Sequence, residues 1–358
     1  MDNHVPRWLR DSAAVSWRLL VVGAAVFFSW QVLQDVSVVV LSAVIGLFPA
    51  SLLWGPVQNL KRRGWPPIVA TWAVIVVGLM ALVGVTLLVV PELIDGLEPL
   101  GADLAAAYES LIEWLSDGPF GLAPADVERY SDLLIEQLQS RVSGLGAGLL
   151  SGAAAVLEII TGLFLAVIVA FFVLKDGDRI ARRVAERMSP AKADRFRRGG
   201  KAAWDTLSRY VKGLAIVGLV DSVAIAIGLL ILGVPLVFPL AVLVFIGAFF
   251  PLVGAFISGL FAVAVALVNG GATDALIVFA IVVAVQQLEG DVILPLVFGR
   301  TLQLHPLVVL LAIAIGGVAF GIPGAFLAVP LAAVIMAVDQ ELSDEPEKSM
   351  VAVVKSID

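Results

Sequence analysis

Apolar runs separated by short charged blocks dominate the chain. The runs that approach the length of a membrane span lie at about 19–33, 36–57, 68–90, 152–174, 213–232 and 275–297, and two longer apolar stretches lie at 235–269 and 305–338. A helix needs about 20 apolar residues to cross a hydrocarbon core about 30 Å thick. The pattern therefore predicts an all-α polytopic membrane protein with about eight transmembrane elements.

Basic residues orient these runs across the membrane. The block 175–212 has twelve Lys or Arg residues against five acids, and Lys61, Arg62 and Arg63 follow the second run. Because basic residues stay on the cytoplasmic side, both blocks and both termini are predicted to be cytoplasmic, with anionic lipid headgroups as counter-ions. A basic cluster also suits nucleic-acid binding, but topology explains its position between two spans, so we predict no nucleic-acid partner.

Residues 91–150 carry eleven acids against two arginines and are predicted to be extracytoplasmic. Leucines at helical spacing indicate amphipathic helices that lie beside the membrane or pack between protomers. A solvated acidic connector and a gating or oligomer-forming role both fit this segment. The predicted organisation is three spans in 1–90, the amphipathic segment 91–150, a fourth span in 151–175, a basic cytoplasmic loop 176–212, a transport core 213–338 and an acidic cytoplasmic tail 339–358.

Composition agrees with a membrane protein and excludes several classes of site. Of 358 residues, 60% are hydrophobic and only 15% are charged, whereas soluble chains carry roughly 25% charged residues. The chain has no cysteine and two histidines, and it contains neither HExxH nor GxxxxGK[ST]. We therefore predict that it is not an enzyme, has no cofactor or metal site, and transports passively or by drawing on a gradient.

Two apolar stretches in the transport core are too long for one crossing and are interrupted by glycine and proline. A shift of 70 positions aligns the first stretch with the second; the matching pairs are Gly247 and Gly317, Phe250 and Phe320, and 254–256 and 324–326. We interpret 213–269 and 275–338 as an internal repeat, as in transporters built from duplicated halves. Two topologies stay open: stretches that cross fully give parallel units, and re-entrant hairpins give inverted units. Positive-inside counting favours the hairpins.

Acids and amides lie inside the apolar sequence of this core. They are Asp221 in the first half and Gln286, Gln287, Glu289 and Asp291 in the second half. A carboxylate is costly in hydrocarbon, so we expect Glu289 to couple a proton or a cation to transport. The two glutamines would hydrogen-bond a hydroxylated solute. The alternative is structural: all four polar residues of the second half tie a broken helix to neighbouring backbone.

Asp221 is the matching candidate in the first half, and a salt bridge to Lys212 or Arg209 is its alternative. In a regular helix, Asp291 would point to a different side from Glu289. Gly290 and Pro295 indicate local unwinding, which would bring both acids to one cavity.

Glycine and proline also mark candidate moving parts of the core. Pro251, Gly254, Pro323 and Gly324 are predicted to be hairpin tips or hinges, because glycine allows close backbone approach and proline ends a helix. Arg300 is predicted to be a positive-inside anchor. His305, which precedes a proline, is predicted to be a cap or turn residue.

Several strings of the sequence carry a resemblance to a known family. They are FFVLKDGDRI at 171–180, FFPLVGAFISGL at 249–260, QQLEGDVILPLVFGRTLQLHPLVVLLAI at 286–313 and FGIPGAFLAVPLAAV at 320–334. These segments resemble the signature segments of the autoinducer-2 exporter family, and the similarity extends over nearly the whole chain. The chain differs from the family pattern at Asp291, where Asn is usual, at Leu252, where an aromatic residue is common, and at Ala255, where Pro is common.

The resemblance implies a homo-oligomeric inner-membrane exporter of a small polar signalling molecule, in a family with some members similar to cation/proton antiporters. We therefore predict a secondary transporter working by alternating access, in which the two broken segments move against the first four spans. The alternatives are a Na⁺, K⁺ or Li⁺/H⁺ antiporter with Glu289, Asp291 and Asp221 as ion ligands, and a membrane scaffold acting through the basic block.

Overall fold

The computed structural model of the protein describes residues 15–25, 27–28, 31, 36–117, 152–250, 253–299 and 305–343, with the backbone alone at 93–117 and 152–159. Every regular element in these ranges is a helix, so the all-α prediction is confirmed there. The helices are α1 (Val15–Ala25), α2 (Ser37–Arg62), α3 (Pro67–Asp117), α4 (Gly152–Glu186), α5 (Pro190–Ile231), α6 (Val237–Gly247), α7 (Val253–Leu288), a π-helical segment (Glu289–Ile293), α8 (Leu294–Phe298) and α9 (Pro306–Ser343).

Six helical segments of the described chain are long and apolar enough to cross a membrane. They lie at Ser37–Arg62, Pro67–Glu92, Ile160–Glu186, Pro190–Ile231, Val253–Phe298 and Pro306–Ser343. Two of them fold back on themselves, so the number of crossings is not simply the number of helices. The count of eight transmembrane elements and the internal repeat both stay predictions.

The helix of the third span does not end where the predicted acidic segment begins. Helix α3 continues without a break for 51 residues, which is about 76 Å at 1.5 Å per residue. The helix therefore runs past the end of the span predicted near residue 90, through Pro91 and Gly96, into the predicted amphipathic segment. The rest of the predicted amphipathic segment, 118–150, lies outside the described residues.

The predicted basic loop at 176–212 is a helical hairpin. Helix α4 runs on to Glu186, and α5 starts at Pro190 after an extended Ser189 (φ −63°, ψ 154°). Proline fits the first helical position because its missing N–H has no partner there anyway. The basic residues therefore lie on two helices that continue from the membrane-spanning segments.

The first broken stretch of the core is a hairpin between α6 and α7. An added Cβ at Gly247 would lie 2.8 Å from the carbonyl oxygen of Gly254, although seven helical residues would separate these positions by about 10 Å in a straight helix. Helix α6 has 11 residues, which is about half the thickness of the hydrocarbon core. Helix α7 then folds back at Gly271 (φ 74°), between the two predicted repeat units 213–269 and 275–338.

The second broken stretch, α9, also folds back on itself. Its helical geometry fails at Phe320 and Gly321, and the latter has φ 63°, a value that glycine adopts readily. The backbones of Gly316 and Gly324 touch and leave no room for a side chain on either. Both broken stretches are thus bent pairs of arms held together by facing glycines.

Helix α5 holds the described helices together. It packs against α2, α4, α6, α7, α8 and α9. On its membrane half, Ile225 and Leu229 join α6 and both arms of α7 in one apolar core. Nearer the N-terminal end of α5, Leu207 and Val211 pack with Phe48 of α2 and Leu327 of α9. Any movement of a hairpin therefore takes place against α5.

Helices α2 and α4 form a tight pair beside this core. Gly46 packs on the backbone of Ala166, so the two helices approach as closely as their main chains allow. At the end of α2, the Lys61 Nζ donates hydrogen bonds to the carbonyl oxygens of Leu174 (2.6 Å) and Lys175 (3.2 Å) of α4. Glycine contact and lysine clamp together fix the two helices at both ends.

Candidate functional site

A cavity of about 760 Å³ opens between α5, α6, α7 and the π-helical segment. Its volume lies within the range of about 300–1,000 Å³ that is typical of small-molecule sites. The polar or acidic lining residues include Asp221, Gln286, Gln287, Glu289 and Asp291. All five residues that the sequence predicts as solute or ion ligands therefore line this one cavity, while their roles as ligands stay a prediction.

The two halves of the core each contribute a carboxyl group to the same point of the cavity. Asp221, from α5, is only 3% exposed, and Glu289, from the π-helical segment, is half-buried. Their carboxyl groups lie within hydrogen-bonding range of each other. Because two carboxylates can only accept, a hydrogen bond between them requires a proton on one of them. The alternative prediction was a salt bridge from Asp221 to Lys212 or Arg209. The carboxyl group of Asp221 lies next to Glu289 instead.

One oxygen of this pair has no partner. The Oδ1 atom of Asp221 is buried and accepts no hydrogen bond from the described residues. A buried acceptor without a donor costs about 1–3 kcal/mol. A donor or cation that entered the cavity and reached this atom would recover that energy, which makes the buried end of the cavity an attractive binding point.

The local backbone explains how Glu289 and Asp291 reach one cavity. The sequence predicts unwinding at Gly290 and Pro295, but the chain forms a π-helix at Glu289–Ile293, in which the N–H of Leu294 donates to the carbonyl oxygen of Glu289. This wider turn rotates residues relative to a regular helix, so two acids two positions apart can both face the cavity. The predicted unwinding is thus wrong in form, since the helix widens and keeps its hydrogen bonds.

The other predicted residues fall into three groups. Gly254 lies at the contact between the two arms of the first hairpin, and Pro323 and Gly324 follow the bend of α9. Pro295 occupies the first turn of α8, and the Nδ1 atom of His305 accepts a hydrogen bond from the backbone N–H of Leu307 (3.2 Å), which places His305 at the N-cap of α9. Pro251 and Arg300 lie outside the described residues.

Aromatic side chains form much of the cavity wall, and sequence reasoning missed them as a group. They are Tyr210, Phe250, Phe256, Phe279 and Phe298. The Tyr210 and Phe298 rings are 5.9 Å apart, and Phe298 packs directly on Gly213. The available signal was weak, because phenylalanine is common in any membrane helix and only the polar residues stand out in apolar sequence.

One aromatic contact joins the cavity to the second hairpin. The ring of Phe250, at the tip of the first hairpin, lies 5.1 Å from the ring of Phe326 in α9, which itself lies 4.7 Å from Phe48 in α2. Val329 of α9 also lines the cavity. A displacement of α9 therefore changes the wall of the cavity directly.

Comparisons with known proteins agree with a membrane transporter. Residues 18–344 match the model of a family described as AI-2E family transporter. The chain is 38% identical over 332 residues to "Putative transport protein MT0215" of Mycobacterium tuberculosis (strain CDC 1551 / Oshkosh), which covers 93% of this chain and 90% of the relative. It is 29% identical over 304 residues to "Putative permease PerM" of Escherichia coli (strain K12), with 82% and 85% covered. A shorter match, 36% over 212 residues, is to "Putative transport protein YueF" of Bacillus subtilis (strain 168), with 57% and 56% covered.

Proposed function

The chain belongs to the AI-2E family of transporters, and from that premise we propose that it is a secondary transporter that exports a small polar solute by alternating access. One observation carries the proposal: acids and amides from α5, α7 and the π-helical segment surround a single cavity of solute size. Polar residues at such a depth are expensive and are retained where a pathway needs them. The glutamines would bind hydroxyl groups of an autoinducer-2-like solute.

The Asp221 and Glu289 pair supplies the coupling in this proposal. A pair that shares one proton can release it when a solute binds or when the cavity opens to the other side. The π-helical segment supports such a change, because π-turns inside α-helices commonly occur at functional sites and can shift register at low cost. Proton release and solute movement would then take place in the same step of transport.

The two hairpins are the moving parts, and α1 to α4 are the scaffold. Short arms held by facing glycines can slide as units, since a glycine contact has no interlocking side chains. Separation of Phe250 from Phe326 would open the cavity towards α9. We further propose a multi-pass protein of the inner membrane with both termini in the cytoplasm, assembled as a homo-oligomer.

Flux through proteoliposomes tests the proposal. The purified full chain is reconstituted with a pH dye inside, and radiolabelled pentoses and pentitols are offered as hydroxylated probes. We expect solute movement accompanied by proton movement, both reduced to the background of empty liposomes by Glu289→Gln. The control is Asp274→Asn, which removes a carboxylate from the same helix as the glutamines but outside the cavity. It should leave flux unchanged.

Three results would overturn the proposal. Proton movement driven by Na⁺, K⁺ or Li⁺ gradients without any solute would make the chain a cation/proton antiporter. Solute flux that Glu289→Gln leaves intact would remove the acid pair from the mechanism. No flux in either assay, together with a cellular phenotype that depends on the basic hairpin of α4 and α5, would favour the scaffold function.

A further inference from the structure

The charges around the cavity are all of one sign. Among the described residues that line it, the charged side chains are Asp221, Glu289 and Asp291, and the lining contains no Lys, Arg or His. Tyr210 is the remaining titratable group, and α6, α7, α8 and α9 contribute none. Asp221 is buried and Glu289 is half-buried, so water and salt screen their charges less than that of the exposed Asp291. An anion that entered would meet repulsion, and the described lining residues offer no cation to offset it.

The walls suit a cation with a sizeable organic body. Five aromatic rings line a cavity of about 760 Å³, and the remaining lining is mostly aliphatic or glycine. Aromatic faces attract ammonium and similar cations by about 0.5–2 kcal/mol each, while their area buries apolar surface of the ligand. A fully hydroxylated small molecule would leave most of these rings facing water.

The buried oxygen of Asp221 provides the anchor. This residue is 97% buried, lines the cavity, and its Oδ1 atom has no donor among the described residues. An ammonium or heteroaromatic N–H group that reached the inner end of the cavity would satisfy it. The acid pair, the aromatic rings and the unpartnered oxygen thus all favour a cationic ligand with an N–H donor.

From these three observations we propose that the transported solute is a monovalent organic cation with an aromatic or aliphatic body, exchanged for the proton that Asp221 and Glu289 share. This inference rests on the proposed transport function and replaces its hydroxylated solute by a cationic one. With one shared proton the pair carries one negative charge. When the cation binds, that proton leaves to the aqueous phase, so the cation replaces one positive charge with another. The buried charge of the site is then the same in both states, which avoids the cost of an uncompensated charge.

Ethidium binding to the full chain in detergent tests the substrate class. Ethidium is a fluorescent monovalent aromatic cation, and anilinonaphthalene sulfonate is a fluorescent aromatic anion of comparable size. We expect saturable ethidium binding, release of about one proton per ethidium in weakly buffered solution, and no displacement of ethidium by the anion. Asp221→Asn should weaken ethidium binding at least about tenfold, as expected when one member of a buried charge pair is removed.

Matched variants keep this result interpretable. Asp274→Asn should bind ethidium as the native chain does, because its carboxyl group lies outside the cavity lining. If Asp221→Asn does not fold, Glu289→Gln gives the same comparison from the other half of the core, and the comparison of cation with anion on the native chain needs no variant. Equal binding of both probes, or ethidium binding that neither cavity variant weakens, would overturn the inference.

The failures of the two proposals can be told apart. Pentitol flux that depends on Glu289, with no ethidium binding, would refute the cation class and leave the transporter standing. Ethidium binding with proton release and ethidium flux would support the cation class even without pentitol flux. No binding and no flux of any probe would refute both proposals.

Discussion

The carboxyl group of Asp221 on α5 lies within hydrogen-bonding range of the carboxyl group of Glu289 on the π-helical segment. The two halves of the core thus meet at a pair of acids. Groups that act as one unit give mutational effects that do not add.

We therefore expect Asp221→Asn and Glu289→Gln each to lower transport at least about tenfold, with the double variant no worse than either single one. Thermal unfolding in detergent should show little loss of stability, because a neutral amide of the same shape costs less to bury than a carboxylate. Initial rates in proteoliposomes measure the first effect. Losses that multiply in the double variant would show that the two acids act separately.

Gly254 offers a test of the first hairpin. A Cβ at this position would collide with the backbone of Gly247, so Gly254→Ala must push the arms apart. Overpacking of this kind typically costs about 1–3 kcal/mol, and we expect a lower melting temperature. Gly84→Ala in α3 is the matched control, since nothing lies within 4 Å of its added Cβ and alanine favours a helix by up to about 1 kcal/mol. Equal melting temperatures of the two variants would contradict the hairpin contact.

The fold of α9 can be tested by cross-linking, because the native chain has no cysteine. An added Cβ at Gly317 lies 3.7 Å from the Cβ of Ala325, close to the mean of about 3.8 Å in disulfides. We expect Gly317→Cys with Ala325→Cys to oxidise readily and to lose maleimide labelling until a reductant is added.

A pair with the same sequence spacing provides the control for this cross-link. Gly78→Cys with Thr86→Cys lies within the continuous helix α3, where eight residues separate the two positions by about 12 Å. This pair should stay labelled after oxidation. If both pairs stay labelled, α9 does not fold back at Gly321.

Lys61 should stabilise the pair of α2 and α4. Its ammonium group donates to two carbonyl oxygens of α4, and hydrogen bonds from a charged donor contribute about 1.5–3 kcal/mol. We expect Lys61→Met to lower the melting temperature by several degrees in a thermal scan, because α2 and α4 lose these two hydrogen bonds. Arg62→Met changes the neighbouring exposed basic residue and should have little effect. A melting temperature that falls equally in both variants would indicate a general charge effect.

The cavity residues could be predicted from the sequence because polar side chains in apolar helices are rare. Gln286, Glu289 and Asp291 stand within six positions, so their common location needs only one local deviation from a regular helix. The pairing of Asp221 with Glu289 could not be derived in the same way. It depends on how α5 packs against a helix far away in the chain, and no local pattern encodes that packing.

The sequence indicated that both long apolar stretches are broken, but it did not locate the bends accurately. Glycine and proline mark both broken stretches, but α9 bends at Gly321 and stays helical through Gly316 and Gly317, because tolerated glycines and bending glycines look alike in sequence. The basic block was predicted as a loop from its charge alone. Arginine and lysine are good helix formers, and Pro190 starts a helix well, so the composition was equally compatible with the observed helices.

Helix α5 extends over 42 residues from Pro190 to Ile231, a length of about 63 Å. It carries basic residues at one end and the buried carboxyl group of Asp221 towards the other. Because the helix is continuous, a tilt of its basic end also moves that carboxyl group relative to Glu289. An anionic lipid surface that attracted the basic end would therefore also displace Asp221 in the wall of the cavity.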